Sequence, residues 1–228
     1  DKFRELMGMD PYDIEDDEDG NNKITMMTVH SSKGLEFPLV IVDVGSRFKT
    51  NDIKTQRLRF PKMLPDKKTI EEAVKEALAK RYPRARFMVA TKLPAWQLKE
   101  EADRDRIFSE QLERCGLDYF DFYLLHAVSE DNMWVFEEDN SYEYLTKQKE
   151  LGKIRHLGFS YHGNLEFFLK LIDKYKWDFV QLQINYYDWE NQNAKAYYEA
   201  LEERNIPCIV MEPVRGGSLH TLNDDARK

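Results

Sequence analysis

The sequence predicts an α/β fold: a partial or distorted (β/α) TIM-type barrel of parallel strands, preceded by a two-strand segment. From residue 69 onward, short apolar segments alternate five times with longer segments of helical periodicity. This alternation calls for a parallel sheet with crossover helices. No Gly-x-Gly-x-x-Gly follows an apolar segment, which disfavours a doubly wound dinucleotide-binding sheet.

The boundaries of these elements follow from capping and terminating residues. Thr69 and Glu72 form a capping box at the start of the first helix, and Asn164 is placed to cap a later one. Gly116 and Gly152 end two further helices. The predicted strands are 86–92, 120–126, 154–160, 179–186 and 208–212, and the predicted helices are 69–80, 104–115, 141–150, 165–175 and 193–204.

The first 65 residues have a different composition. An acidic run at 13–19, typical of a solvated loop, precedes apolar segments at 24–29 and 39–44 that predict buried strands. A basic stretch follows and ends with Pro61 and Pro65, a composition typical of a linker. We therefore predict two parts, residues 1–65 and residues 66–228.

Composition narrows the class of protein. The formal net charge of −8 argues against broad, unspecific attraction to nucleic acid. The two cysteines, Cys115 and Cys208, are far apart in the sequence, which disfavours a disulfide framework or a cysteine-based metal site. No apolar run has the length of a membrane span. We expect a cytoplasmic protein with no membrane partner. The sequence makes no prediction of the oligomeric state.

Polar residues stand at the carboxyl end of every predicted strand from residue 86 onward. They are Lys92, His126, Ser160 with His162, Asn185 with Asp188, and the segment Glu212 to Arg215. In a (β/α) barrel these ends meet at one face, where active sites lie. The pattern therefore predicts a site that draws on all five strands.

Five segments carry a resemblance to a known family. Residues 89–94 (VATKLP), 121–126 (DFYLLH) and 152–160 (GKIRHLGFS) resemble three successive strands of aldo-keto reductases, and residues 178–188 and 210–217 resemble the next two. The resemblance covers about two-thirds of the chain. It implies NADP(H)-dependent reduction of a small carbonyl compound.

The resemblance also implies roles for particular residues. Lys92 and His126 match two of the four catalytic positions: the lysine lowers the pKa of a tyrosine that protonates the carbonyl oxygen, and the histidine orients the carbonyl. Ser160 and Gln181 match positions that hold the nicotinamide carboxamide. The loop that approaches the cofactor pyrophosphate matches Pro213, Arg215, Gly216 and Gly217.

Some parts of the family pattern have no counterpart here. Nothing aligns with the strand that carries the acidic residue and the proton-donating tyrosine, nor with the eighth strand and its adenosine-phosphate loop. Residues 118–121 (DYFD) look similar to the tyrosine motif, but they lead into the strand that ends at His126. We therefore expect weak cofactor binding at most and no measurable carbonyl reduction.

Residues 28–38 (TVHSSKGLEFP) resemble the fifth motif of UvrD-like superfamily 1 DNA helicases. The resemblance implies a chimeric chain, with phosphate-side and nucleotide-side residues at His30, Ser31, Lys33, Gly34 and Glu36. No Gly-x-x-x-x-Gly-Lys-Ser/Thr loop occurs, so ATP hydrolysis is not expected, while binding of single-stranded DNA stays an alternative. The two helicase-like strands could occupy the places of the first two barrel strands.

A metal-dependent hydrolase is a third hypothesis. His126 and His162 follow neighbouring strands and could share a metal ion. No carboxylate-rich first strand accompanies them. We therefore assign no metal ligand.

Overall fold

The computed structural model describes residues 41–43 and 70–220. The strands are β1 (Ile41–Asp43), β2 (Met88–Pro94), β3 (Phe120–Val128), β4 (Ile154–Tyr161), β5 (Phe179–Gln183) and β6 (Cys208–Met211). The helices are α1 (Ile70–Val74, continued by a π-helical turn at Lys75–Ala79), α2 (Ala102–Cys115), α3 (Met133–Glu138), α4 (Ser141–Glu150), α5 (Leu165–Lys174), α6 (Tyr186–Asn191) and α7 (Ala194–Glu203). Short 3-10 helices lie at Arg84–Arg86, Ala95–Gln97 and Arg215–His220.

The six described strands form one parallel sheet in the order of the chain, from β1 to β6. Helices follow the strands as crossovers, which confirms the predicted α/β class and its parallel strands. The apolar segment predicted at 39–44 contributes β1, and Ile41 pairs with Met88. The other predicted strand of the first part, residues 24–29, lies outside the described residues, as does Thr69 of the capping box.

The outer face of the sheet packs against the helices. Phe108 of α2 lies with its ring 5.1 Å from that of Tyr123 on β3. The side chain of Gln111, also on α2, accepts a hydrogen bond from the Tyr123 hydroxyl and donates one to the carbonyl of Lys92. This face and its helices form the hydrophobic core, in which each fully buried large apolar side chain contributes about 1.5–3 kcal/mol.

The inner face is the opposite one, because successive side chains along a strand point to opposite sides. Phe122 of β3 stacks on His156 of β4, with ring centroids 5.2 Å apart, and meets the ring of Phe179 at 5.3 Å. Gly158 makes room for Phe179, since a Cβ at this position would collide with the Phe179 carbonyl and ring. Lys92, Leu124 and His126 share this face with Phe122.

Most element boundaries follow the local signals in the sequence. Gly116 ends α2 in the left-handed region, with φ of 64°, and the Asn164 side chain caps α5 by accepting a hydrogen bond from the amide of Phe167. The strand predicted at 179–186 is too long: it ends at Gln183, because the Asn185 side chain caps α6 instead. The strand predicted at 86–92 begins and ends two residues later.

Candidate active site

The structure places Lys92 and His126 on the inner face, at the carboxyl ends of neighbouring strands. Lys92 pairs with Leu124, and His126 lies two residues further along β3, opposite Pro94. Lys92 is buried, and its backbone carbonyl is fixed from the outer face by Gln111. The two positions that the resemblance assigns to catalysis therefore lie together at one end of the sheet.

Ser160 and Gln181 lie opposite each other on the next two strands. Ser160 of β4 pairs with Gln181 of β5, and both side chains are buried. The Ser160 hydroxyl accepts a hydrogen bond of 2.8 Å from the amide of Ala127, which has a positive φ of 52° at an irregularity in β3. This contact links Ser160 to the residue that follows His126.

Gln181 has unused hydrogen-bonding capacity. Its buried Oε1 accepts no hydrogen bond from any group in the part of the chain that the structure describes. An unsatisfied buried acceptor costs about 1–3 kcal/mol. An N–H or O–H donor on a ligand could satisfy this atom, and this observation does not depend on the resemblance that first singled out Gln181.

His162 follows β4 at the same end of the sheet, where its amide donates to the carbonyl of Val128. Burial lowers the pKa of its imidazole, the positive charge of Lys92 lowers it further, and Glu212 opposes the effect. Protonation of His162 is therefore less favourable than that of an ordinary histidine.

The loop after β6 has three residues in the left-handed region of backbone conformation. Glu212, Arg215 and Gly216 all have positive φ, between 49° and 62°. The Gly216 amide contacts the Glu212 carboxylate. Pro213 and Gly217 lie in the same turn, so the structure brings the predicted pyrophosphate-side residues together at the carboxyl end of the sheet.

Asn185 and Asp188 connect this loop to β5. Asn185 donates to the Glu212 carbonyl, and Asp188 accepts hydrogen bonds from Asn185 and from Gln183. The carboxylate of Asp188 also lies 3.3 Å from Nε of Arg215. Sequence reasoning placed Asn185 and Asp188 at a strand end, but it did not assign Gln183 a place in the site.

Trp96 is a second residue that sequence reasoning missed. Its ring centroid lies 4.9 Å from that of His126, with the planes tilted by 56°. Trp96 is half-exposed, in the 3-10 turn that directly follows β2. No periodicity marks it, and the only available signal is its position four residues after Lys92.

The remaining predictions concern the helicase-like residues, metal binding and membrane spans. The helicase-like residues His30, Ser31, Lys33, Gly34 and Glu36 lie outside the described residues. Between residues 70 and 220, no group of three His, Cys, Asp or Glu side chains is arranged to hold a metal ion. None of the helices in that range combines the length and apolar character that a bilayer crossing needs.

The fold and the position of the site define a (β/α)-barrel protein with its polar groups at the carboxyl ends of the strands. The family model for aldo/keto reductases matches residues 66–228, and the chain belongs to this family. A second family model, for the C-terminal domain of UvrD-like helicases, matches residues 5–75.

Individual relatives agree with this assignment. An aldo-keto reductase of Mycolicibacterium vanbaalenii is 39% identical over 92 residues, which is 40% of this chain and 31% of the relative. The fold is similar to that of the thermostable aldo-keto reductase Tm1743, solved with the inhibitor epalrestat, with a TM-score of 0.55 and 21% identity over 69% of this chain and 54% of that one.

An aldo/keto reductase of Brucella melitensis gives a TM-score of 0.51 at 21% identity, over 63% of this chain and 54% of that one. At these identities the solved structures support the fold alone. The chain spans about half the length of these solved relatives.

Proposed function

We propose that the carboxyl-end site binds a nicotinamide nucleotide, NADP(H), and a small carbonyl compound, but that this chain does not reduce the carbonyl at a measurable rate. The family supplies the first half of the proposal, because aldo-keto reductases use this cofactor on such substrates. The second half rests on the stretch before residue 70, which matches a helicase family and not the strand that carries the proton-donating tyrosine.

One observation carries the proposal. Ser160 and Gln181 are buried opposite each other, and the open acceptor of Gln181 shares an end of the sheet with Lys92 and His126. A buried amide oxygen without a donor among the described groups is costly unless a ligand supplies one. A carboxamide supplies that donor.

The residues of this chain would orient a carbonyl without protonating it. Bound NADPH would supply a hydride, and His126 would donate a hydrogen bond to the carbonyl oxygen. Lys92 would place a positive charge beside that oxygen, a role that fits its burial at the end of β2. General acid catalysis contributes about two to four orders of magnitude, so its loss accounts for an undetectable rate.

NADPH fluorescence titration tests binding, and an aldehyde turnover assay tests chemistry. We expect weak but saturable binding that Gln181→Met reduces, with no oxidation of NADPH above the protein-free rate. The matched control is Gln148→Met, another buried glutamine, which lies on α4 away from the site. Robust turnover that Lys92→Met abolishes would contradict the proposed loss of activity.

Binding of single-stranded DNA is the second candidate function, and the helicase-family match at residues 5–75 is the observation that favours it. Fluorescence polarisation across a salt series separates the two, because phosphate contacts weaken steeply with salt. Affinity that survives physiological salt and disappears in Lys33→Ala would favour DNA binding. Affinity that is absent, or unchanged by the substitution, would remove it.

A further inference from the structure

A pocket opens beside the proposed nicotinamide site, between the turn after β4 and helices α6 and α7. Its volume is about 230 Å³, and its polar lining includes His162, Gln183, Asp188, Gln192 and Arg215. Gln183 lies two residues beyond Gln181 on β5, a step of roughly 6–7 Å along a strand, and His162 lies two residues beyond Ser160, just after the end of β4. The pocket therefore lies beyond the buried pair, at the carboxyl ends of β4 and β5.

Arg215 is the cation of this pocket, and two contacts hold its guanidinium. Its Nε lies 3.3 Å from Oδ1 of Asp188, and its Cζ lies 4.5 Å above the ring of Tyr187. Among the described residues, neither Nη group has a hydrogen-bond or ion-pair partner. A guanidinium held on its Nε side presents a planar fork of donors that matches phosphate or carboxylate oxygens.

Asp188 is suited to hold that fork because it is itself immobilised. Its side chain is only 1% exposed, and its Oδ2 accepts hydrogen bonds of 2.7 Å from Gln183 and 2.6 Å from Asn185. Its backbone amide donates to the Asn185 side chain at the start of α6. The Oδ1 atom is buried and accepts no hydrogen bond from the described residues apart from its ion pair with Arg215.

We propose that Asp188 is a positioning residue that fixes Arg215 so that its two Nη groups bind a phosphate group in this pocket. The inference rests on the proposed cofactor site. It adds that Arg215 contacts the phosphate and that Asp188 sets the orientation of Arg215. Two further carboxylates lie at this end and are held by other groups: Glu212 contacts the amide of Gly216, and Glu130 accepts hydrogen bonds from the amide and side chain of Asn164. His162 lines the same pocket, and its lowered pKa disfavours a positive charge on the imidazole there.

The direction in which Asp188→Asn changes the affinity for an anion distinguishes a positioning role from simple electrostatics. Asp188→Asn removes a negative charge next to Arg215, and by Coulomb attraction alone this change would tighten the binding of an anion. If Asp188 acts by positioning, the substitution releases a flexible arginine side chain, whose ordering is costly, and the anion binds more weakly.

The experiment measures the affinity of the full chain for three probes by calorimetry: NADPH, inorganic pyrophosphate and reduced nicotinamide riboside, which has no phosphate. We expect Arg215→Gln to weaken both phosphate-containing probes about tenfold or more, as for loss of a charge-assisted hydrogen bond. Asp188→Asn should weaken them roughly three- to tenfold, and Arg215→Lys should retain part of the affinity. Binding of the riboside should not change in any variant.

The matched control is an arginine–aspartate pair away from the pocket. Arg204 of α7 donates to Asp173 of α5, and Arg204→Gln or Asp173→Asn should leave all three affinities unchanged. Thermal unfolding of each variant shows whether it is folded, and Arg215→Lys provides a conservative second test should Asp188→Asn not fold.

The outcomes distinguish this inference from the proposed function. If NADPH binds but Arg215→Gln and Asp188→Asn leave its affinity unchanged, or if Asp188→Asn tightens it, the inference is overturned and the cofactor proposal stands. If NADPH does not bind but pyrophosphate binds in a manner that depends on Arg215 and Asp188, the phosphate pocket stands and the cofactor proposal fails. If neither binds, both are overturned.

Discussion

The two ends of the parallel sheet differ in how their polar side chains are used. At the amino ends, Asp121 is 1% exposed, yet Arg84, Arg155 and the amide of Val89 all donate to its carboxylate. The two guanidiniums also lie over the ring of Tyr119, at 4.0 and 4.2 Å from its centroid. At the carboxyl ends, Gln181 and Arg215 keep donor or acceptor capacity that no described group uses.

A second carboxylate repeats the amino-end arrangement. Asp178, directly before β5, accepts hydrogen bonds from Lys149 and from the backbone amide of Leu157 on the neighbouring strand. Each carboxylate thus accepts a hydrogen bond from an amide on the preceding strand, and a neighbouring cation neutralises the charge of the carboxylate. The comparison indicates that the amino ends hold the sheet together and that the carboxyl ends are left open for a ligand, as in other (β/α) barrels.

Asp121→Ala is expected to have the largest effect. Removal of the shared acceptor leaves Arg84 partly buried without its carboxylate and Val89 without its hydrogen bond, which should lower the free energy of unfolding by about 3 kcal/mol. Urea denaturation measures the change. A loss below about 1 kcal/mol, the range of an exposed ion pair, would show that the amino end is not the stabilising end.

Gln181→Met should act in the opposite direction at the other end. Gln181 Oε1 is a buried acceptor without a donor among the described groups, so replacing this side chain with an apolar one of similar length should leave stability unchanged or raise it by about 1 kcal/mol. The same change should weaken NADPH binding about tenfold. Paired urea and NADPH titrations check both halves, and a clear loss of stability would indicate that Gln181 serves the fold.

The smallest expected effect is the dependence of folding stability on pH. Burial lowers the pKa of His156 on the inner face, and burial also lowers that of His162. The folded state therefore binds fewer protons than the unfolded state, so stability is complete above the unfolded value of 6.5 and falls as pH drops below it.

His156→Gln should flatten the stability profile between pH 7.5 and 5.5, measured as the urea midpoint at each pH. The ordinary pKa values of aspartate and glutamate side chains, 3.8 and 4.5, lie below this window. A profile that is identical in wild type and variant would show that His156 protonates without cost on the inner face.

Local signals made much of the fold predictable. Gly116 and Asn164 end and cap their helices by contacts within a few residues, so their positions in the sequence were sufficient. The end of β5 was not predictable in the same way. Ile184 and Tyr186 are residue types typical of a strand, but the Asn185 side chain between them caps α6 and ends the extended segment.

The site was predictable in its positions but not in its contacts. The order of strands and the polar residue at each strand end indicated where Lys92, His126 and Ser160 would lie, and the family resemblance singled out Gln181. The pair of Asp188 with Arg215 joins residues 27 positions apart through a left-handed turn. Trp96 reaches His126 only because a 3-10 turn follows β2. Such contacts depend on tertiary geometry, for which the sequence carries no periodic signal.

NADPH fluorescence titration of three proteins, the wild type, Gln181→Met and Asp121→Ala, measured where each is folded, tests the contrast between the two ends most directly. The account predicts saturable binding by the wild type, about tenfold weaker binding by Gln181→Met, and unchanged affinity in the less stable Asp121→Ala. Equal affinity in wild type and Gln181→Met, or loss of binding in Asp121→Ala alone, would contradict the assignment of the carboxyl ends to the ligand.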